Sequence, residues 1–129
     1  MATFNLDDLN PGVEFEYEEG GAKITLRVCA GDDYKVIRKQ TTKKKVEFKN
    51  NQRHEYEVVD DDLQSRLLWD FCIVDWEGFF DVDGKTIPCN IDTKNLLMGK
   101  SLDFSKFVLD KIQELTETQE KTKEDEEKN

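Results

Sequence analysis

The chain has 129 residues, of which 36% are hydrophobic and 37% charged, with a formal net charge of -10. That length fits one domain with a tail and can bury a modest core without staples. The acidic balance weighs against a general phosphate-binding surface, so nucleic acid is not an expected partner.

The first eleven residues read as an irregular lead-in, with Phe4, Leu6 and Leu9 expected to pin it to the core. Asn10-Pro11-Gly12 is a turn signal. Val13, Phe15 and Tyr17 then alternate with Glu14, Glu16 and Glu18, the period of a half-buried strand. Gly20-Gly21 breaks this strand. A second follows, with Ile24, Leu26 and Val28 on one side and Lys23, Thr25 and Arg27 on the other. The acidic face of the first strand can pair with the basic and hydroxyl face of the second across an antiparallel hairpin.

Asp32 or Asp33 is expected to cap a short helix running to Gln40, with Val36 and Ile37 as its apolar contacts. Short alternating runs at Lys44–Phe48 and Glu55–Val59, separated by Asn50-Asn51-Gln52, predict a second hairpin. Lys43, Lys44 and Lys45, with Arg38 and Lys39 just before them, read as a solvated turn; an acidic-partner patch is the lesser alternative. Asp60-Asp61-Asp62 opens a helix. Leu63, Leu67, Phe71 and Val74 recur at helical spacing, and Trp69, Ile73 and Trp76 add another side. The pattern predicts a helix to the vicinity of Gly78, buried nearly all round.

Asp81-Val82-Asp83-Gly84 is a tight turn. Asn90 or Asp92 starts a short helix carrying Ile91, Leu96, Leu97 and Met98, ending at Gly99. Ser101 or Asp103 caps a last helix with a stripe of Phe104, Phe107, Val108, Ile112 and Leu115. From residue 116 onward no apolar residue occurs, as in a frayed helical extension or a disordered tail. The expected fold is α+β: an N-terminal antiparallel hairpin sheet packed with three to four helices over residues 1–115, then a charged tail over 116–129.

Residues 81–92 do not fit a calcium loop. Gly84 comes fourth rather than sixth, and Lys85 and Asp92 stand where an oxygen ligand and a glutamate belong. Cys29, Cys72, Cys89 and His54 total a zinc set but lack the paired short spacings of structural sites. An odd cysteine count and no secretory leader point to reduced thiols in a cytoplasm. No stretch approaches the length of a membrane helix. No phosphate loop or nucleotide fingerprint is present. No catalytic residue, cofactor or metal site is therefore assigned, and no enzymatic activity is expected. Trp69, Trp76, Phe104, Phe107 and Leu115 are the candidate partner anchors, with core packing as the competing reading.

The run CIVDWEGFFDVDGKTIPC, followed by NIDTKNLL and FSKFVLDKIQEL, resembles small proteins of the tail modules of tailed bacteriophages and prophages, described as tail assembly chaperones or tail proteins. Residues 71–97 carry the specific part of this resemblance. It implies a non-enzymatic protein of the bacterial host cytoplasm that binds the tape-measure protein or another tail protein, with self-association left open. The alternatives are a structural virion component, such as a tail-tube or head–tail joining protein, and, further off, a small zinc or thiol protein.

Overall fold

The structure, a computed structural model, describes residues 2–127, with side chains to residue 118. The chain divides into two compact units, Met1–Val28 with Trp69–Asn129, and Cys29–Leu68.

The first unit is built on a three-stranded antiparallel sheet. β1 (Val13–Glu16) pairs with β2 (Lys23–Leu26), and β2 pairs with β5 (Ile73–Glu77), so that β2 is central. The first hairpin forms as its alternation predicts. Glu14 stands opposite Thr25 and Glu16 opposite Lys23, and the Lys23 ammonium reaches Glu14 at 3.8 Å. On the inner face Ile24 and Leu26 are fully buried. They pack with Ile73, Trp76, Phe104 and Val108, and this cluster is the core of the unit. Gly12 turns the chain into β1 at φ 95°. A side chain there would press on the Leu26 carbonyl oxygen at 2.9 Å.

The third strand departs from the sequence expectation. The helix opened by Asp61 stops at Cys72, and Ile73–Glu77 is strand rather than a further turn of helix. The register shifts between Thr25 and Leu26, where Thr25 faces Asp75 and Leu26 faces Ile73, leaving Val74 as the extra residue of a bulge. Ile73 and Trp76 consequently both point inward, three residues apart. An inward spacing of three is also the spacing of a helix face, hence the misleading pattern. Pairing with β2 wins because it satisfies the backbone groups along that strand's second edge, which would otherwise be buried without partners.

Beyond β5, Gly78 adopts φ 79°. Residues 79–87 then fold back on themselves. The Ile87 amide donates to the Phe79 carbonyl at 2.8 Å, and the Gly84 amide donates to the Asp81 carbonyl at 3.0 Å. The Asp81 carboxylate accepts the amides of Asp83 and Lys85, each at 2.9 Å. The acidic turn thus organises its own backbone. Asn90 caps α3 (Ile91–Lys100) in a reciprocal capping box with Thr93. Helix α4 (Leu102–Glu127) follows, with the Phe104 amide on the Ser101 hydroxyl at 3.3 Å. α3 runs one residue past its expected end at Gly99, to Lys100.

The lead-in makes little use of its apolar residues. Phe4, Leu6 and Leu9 are 66–83% exposed and do not pin it to the core. Polar anchors hold the segment instead. The Asn10 amide donates to the Val28 carbonyl at 2.9 Å, and Arg27 donates to the Asn10 carbonyl at 3.4 Å.

The second unit contains α1 (Asp32–Thr41), a ribbon of β3 (Thr42–Lys49) and β4 (Gln52–Val59), and the start of α2 (Asp61–Cys72). Neither Asp32 nor Asp33 caps α1. Gly31 holds the capping position, and both acids lie in the first turn, where they still favour the helix dipole. Ile37 is buried but Val36 is exposed. At the far end the hydroxyls of Thr41 and Thr42 donate to carbonyls of Ile37 and Arg38, which lets the helix pass into β3 without a loop. Asn50 and Asn51, at φ 54° and 64°, form the two-residue left-handed turn that suits a tight hairpin. Lys43, Lys44 and Lys45 lie on β3 rather than in a turn. Asp60 caps α2, its carboxylate accepting the Leu63 amide at 3.1 Å.

Candidate partner-binding surface

The five aromatic and aliphatic candidates separate once placed in the fold. Trp76 enters the core from β5, and its indole N–H donates to the Ile87 carbonyl at 2.9 Å. Phe104 enters from the first turn of α4 and is 2% exposed. Their rings meet edge to face at 6.1 Å between centroids. Tyr17, Phe79 and Phe107 complete the cluster, with Tyr17 and Phe107 at 4.9 Å. Leu115 packs against the same core two turns further along α4 than Val108. Trp69 is half-buried on α2 and is not a member of this cluster. The structure therefore brings Trp76, Phe104, Phe107 and Leu115 together as packing. Burial of this kind stabilises the fold by about 1.5–3 kcal/mol per large side chain, and it leaves Trp76 and Phe104 no surface to offer a partner.

Beyond the lead-in and the 79–87 turn, exposed apolar residues of this unit lie on the outward sides of α3 and α4. Leu96 on α3 and Leu102 and Leu109 on α4 are all exposed, Leu102 by 81%. Leu102 and Leu109 are seven residues apart and share one stripe of α4, with Lys106 between them. Charged residues of both signs flank the stripe, with Asp103, Lys106 and Asp110 all exposed.

Charge and burial also shape the interior. Lys94 is buried on α3, and its ammonium bonds the Asp70 carboxylate at 3.0 Å and the Asp70 carbonyl at 3.1 Å. This residue escaped the sequence reading; a lysine within the apolar run of a short helix was the available signal. Cys89 is half-buried. Burial pushes its thiol above the ordinary range, aided by the carboxylates of Asp75 and Asp70 and opposed by Lys94 and a backbone bond to Trp76. The three cysteines form no disulfide with one another. Cys72 and Cys89 belong to the first unit, Cys29 and His54 to the second. Among the described residues no three His, Cys, Asp or Glu side chains are placed to hold a metal ion, and no helix is long and apolar enough to cross a membrane.

Fold and surface define an α+β protein with an acidic unit, exposed helical leucines and a separate hairpin-bearing unit. The family model described as "YdaY prophage protein" matches residues 29–129, and the chain belongs to this prophage protein family. No curated protein and no solved structure matches the chain.

Proposed function

We propose that this prophage protein serves tail morphogenesis as a non-enzymatic assembly chaperone, binding the tape-measure protein in the host cytoplasm through apolar helix surface. The observation that carries the reading is the exposed Leu102–Leu109 stripe of α4, with Leu96 on α3. Two large aliphatic side chains on one helix stripe suit a helical client, which docks through its own apolar face. The chain's net charge of -10 keeps a transient complex soluble. Family membership supports a prophage role, and the resemblance carried by residues 71–97 is what points to the tail. Binding falls to the outward leucines, because Trp76 and Phe104 are committed to the core.

Co-expression with the tape-measure protein of the same prophage tests this. A complex that co-purifies and keeps the client soluble is expected. The double variant Leu102→Asp, Leu109→Asp should lose the complex while retaining its urea midpoint. A client equally soluble alone, with no complex, overturns the reading. Mass spectrometry of purified particles provides the second arm: many copies in the virion would make the chain a structural component instead.

A further inference from the structure

The whole-chain charge of -10 conceals a strongly basic segment. Between Lys35 and Arg53 there are eight lysines and arginines and a single acid, Glu47. These residues lie on α1 and the β3–β4 ribbon of one compact unit. Within it, Lys35, Arg38, Lys39, Thr42, Lys44 and Glu57 line a concavity of about 510 Å³. Four cations and a hydroxyl there face one carboxylate. Lys39, Lys43, Lys44, Lys45 and Lys49 make no ion pair among the described residues.

We propose that the α1–ribbon unit is a nucleic-acid-binding site that grips the phosphate backbone through Lys35, Arg38, Lys39 and Lys44 in the concavity and Lys43, Lys45 and Lys49 along the ribbon. The shape fits the ligand. Eight residues per strand make the ribbon roughly 26 Å long, and it is exposed over nearly its whole length. A two-stranded ribbon is one of the shapes that the major groove of a duplex admits. The directly opposed pairs place Lys43, Lys45 and Lys49 on one face with the single acid Glu47, while Lys44 and Arg53 share the other face with Glu55 and Glu57, so the cationic surplus lies on the Lys43–Lys49 face. Side chains that can stack on bases are interleaved with them: Lys45 faces Tyr56, and Phe48 faces Arg53. Phe48 is 75% exposed, a large cost for an aromatic ring that has nothing to cover it. An acidic polypeptide would answer the charge but not the exposed rings of Phe48 and Tyr56. The unit as a whole, residues 29–68, holds nine lysines and arginines against eight acids, so it is the placement of the cations on α1 and β3, not the unit's net charge, that favours a phosphate backbone.

The test is fluorescence anisotropy of the full chain with a labelled 20-base-pair DNA duplex between 50 and 200 mM salt. Binding that weakens steeply with salt is expected, the log–log slope falling by about 0.9 for each phosphate contact removed. The variant Lys43→Gln, Lys44→Gln, Lys45→Gln, at exposed positions, should bind about tenfold more weakly and with a shallower slope. Lys85→Gln, Lys100→Gln, Lys106→Gln makes the same charge change in the other unit and should bind like wild type. No binding at 50 mM salt overturns the proposal. So does equal loss in the two triple variants, or displacement by poly-glutamate at the same charge concentration as by unlabelled DNA.

Discussion

Arg27 holds Phe71 in two ways. Its Nε donates to the Phe71 carbonyl at 2.8 Å, and its guanidinium carbon lies 3.8 Å from the centre of the Phe71 ring. The Arg27 amide also donates to the Cys72 carbonyl at 2.9 Å. These bonds occupy carbonyls at the end of α2, which a helix leaves without internal partners. They fix the point at which the chain changes from helix to strand.

Lysine cannot stack flat and reach the carbonyl together, because its charge is a compact ammonium on a flexible stem. Arg27→Lys should therefore destabilise the protein by about 1–2 kcal/mol, although the charge is unchanged. Urea denaturation measures this, and an unchanged midpoint would show that neither contact contributes.

The switch from helix to strand at Cys72 is also where the sequence was least legible. Both hairpins, the Asn90 start of α3 and the stripe of α4 follow from local alternation, turn chemistry and capping, which neighbouring residues dictate. β5 depends on a bulge opposite Leu26, a contact with a strand far away in the chain, and Ile73 and Trp76 keep a helical spacing while lying in a sheet. The candidate anchors were ambiguous for a related reason. An aromatic at helical spacing fills a core or an interface equally well in one dimension, and only the placement of Tyr17 and Phe79 around Trp76 and Phe104 decides. The basic residues were legible as a run, but the concavity joining Lys35 and Arg38 to Lys44 is lined by three elements, α1, β3 and Glu57 of β4, whose placement a run of residues does not give.

The Lys94–Asp70 pair is asymmetric, and the asymmetry sets the order of its variants. The Lys94 side chain is 8% exposed and that of Asp70 is 42% exposed. Removing the carboxylate leaves a buried ammonium with only a carbonyl partner, whereas removing the ammonium leaves a carboxylate that water can reach. Asp70→Ala should cost about 3 kcal/mol. Lys94→Met, which keeps the stem's packing and abolishes the buried charge, should cost about 1 kcal/mol or less. Equilibrium unfolding of both variants tests the order; the reverse order would mean that Asp70, not Lys94, bears the desolvation.

Gly78 and Gly84 share a left-handed backbone, at φ 79° and 81°, but not the same surroundings. A Cβ at Gly78 would meet the Ala22 backbone at 3.0 Å, while one at Gly84 meets nothing within 4 Å. Gly84→Ala should thus cost only the backbone strain, about 1 kcal/mol. Gly78→Ala adds a clash with the turn between β1 and β2 and should cost about 2–3 kcal/mol. Thermal unfolding of the two alanine variants should separate them by several degrees, and equal shifts would remove the clash from the account.

Stability should fall on the alkaline side through two identified groups. The Cys89 thiol is raised above its ordinary 9.0, chiefly by burial. The Tyr17 hydroxyl is raised above its ordinary 10.0 by burial first and then by the carboxylates of Asp103 and Glu18. In each case the folded state holds the proton more tightly than the unfolded state. The contribution to stability is complete below the unfolded value and is lost as pH rises through the folded one. The free energy of unfolding should therefore decline from about pH 9 upward. Cys89→Ala should remove the earlier part of the decline. Tyr17→Phe, which keeps the ring contacts with Phe79 and Phe107, should remove the later part. Urea titrations at half-unit intervals between pH 7 and 11 resolve the two steps. If the double variant declines as steeply as wild type, neither group carries the linkage.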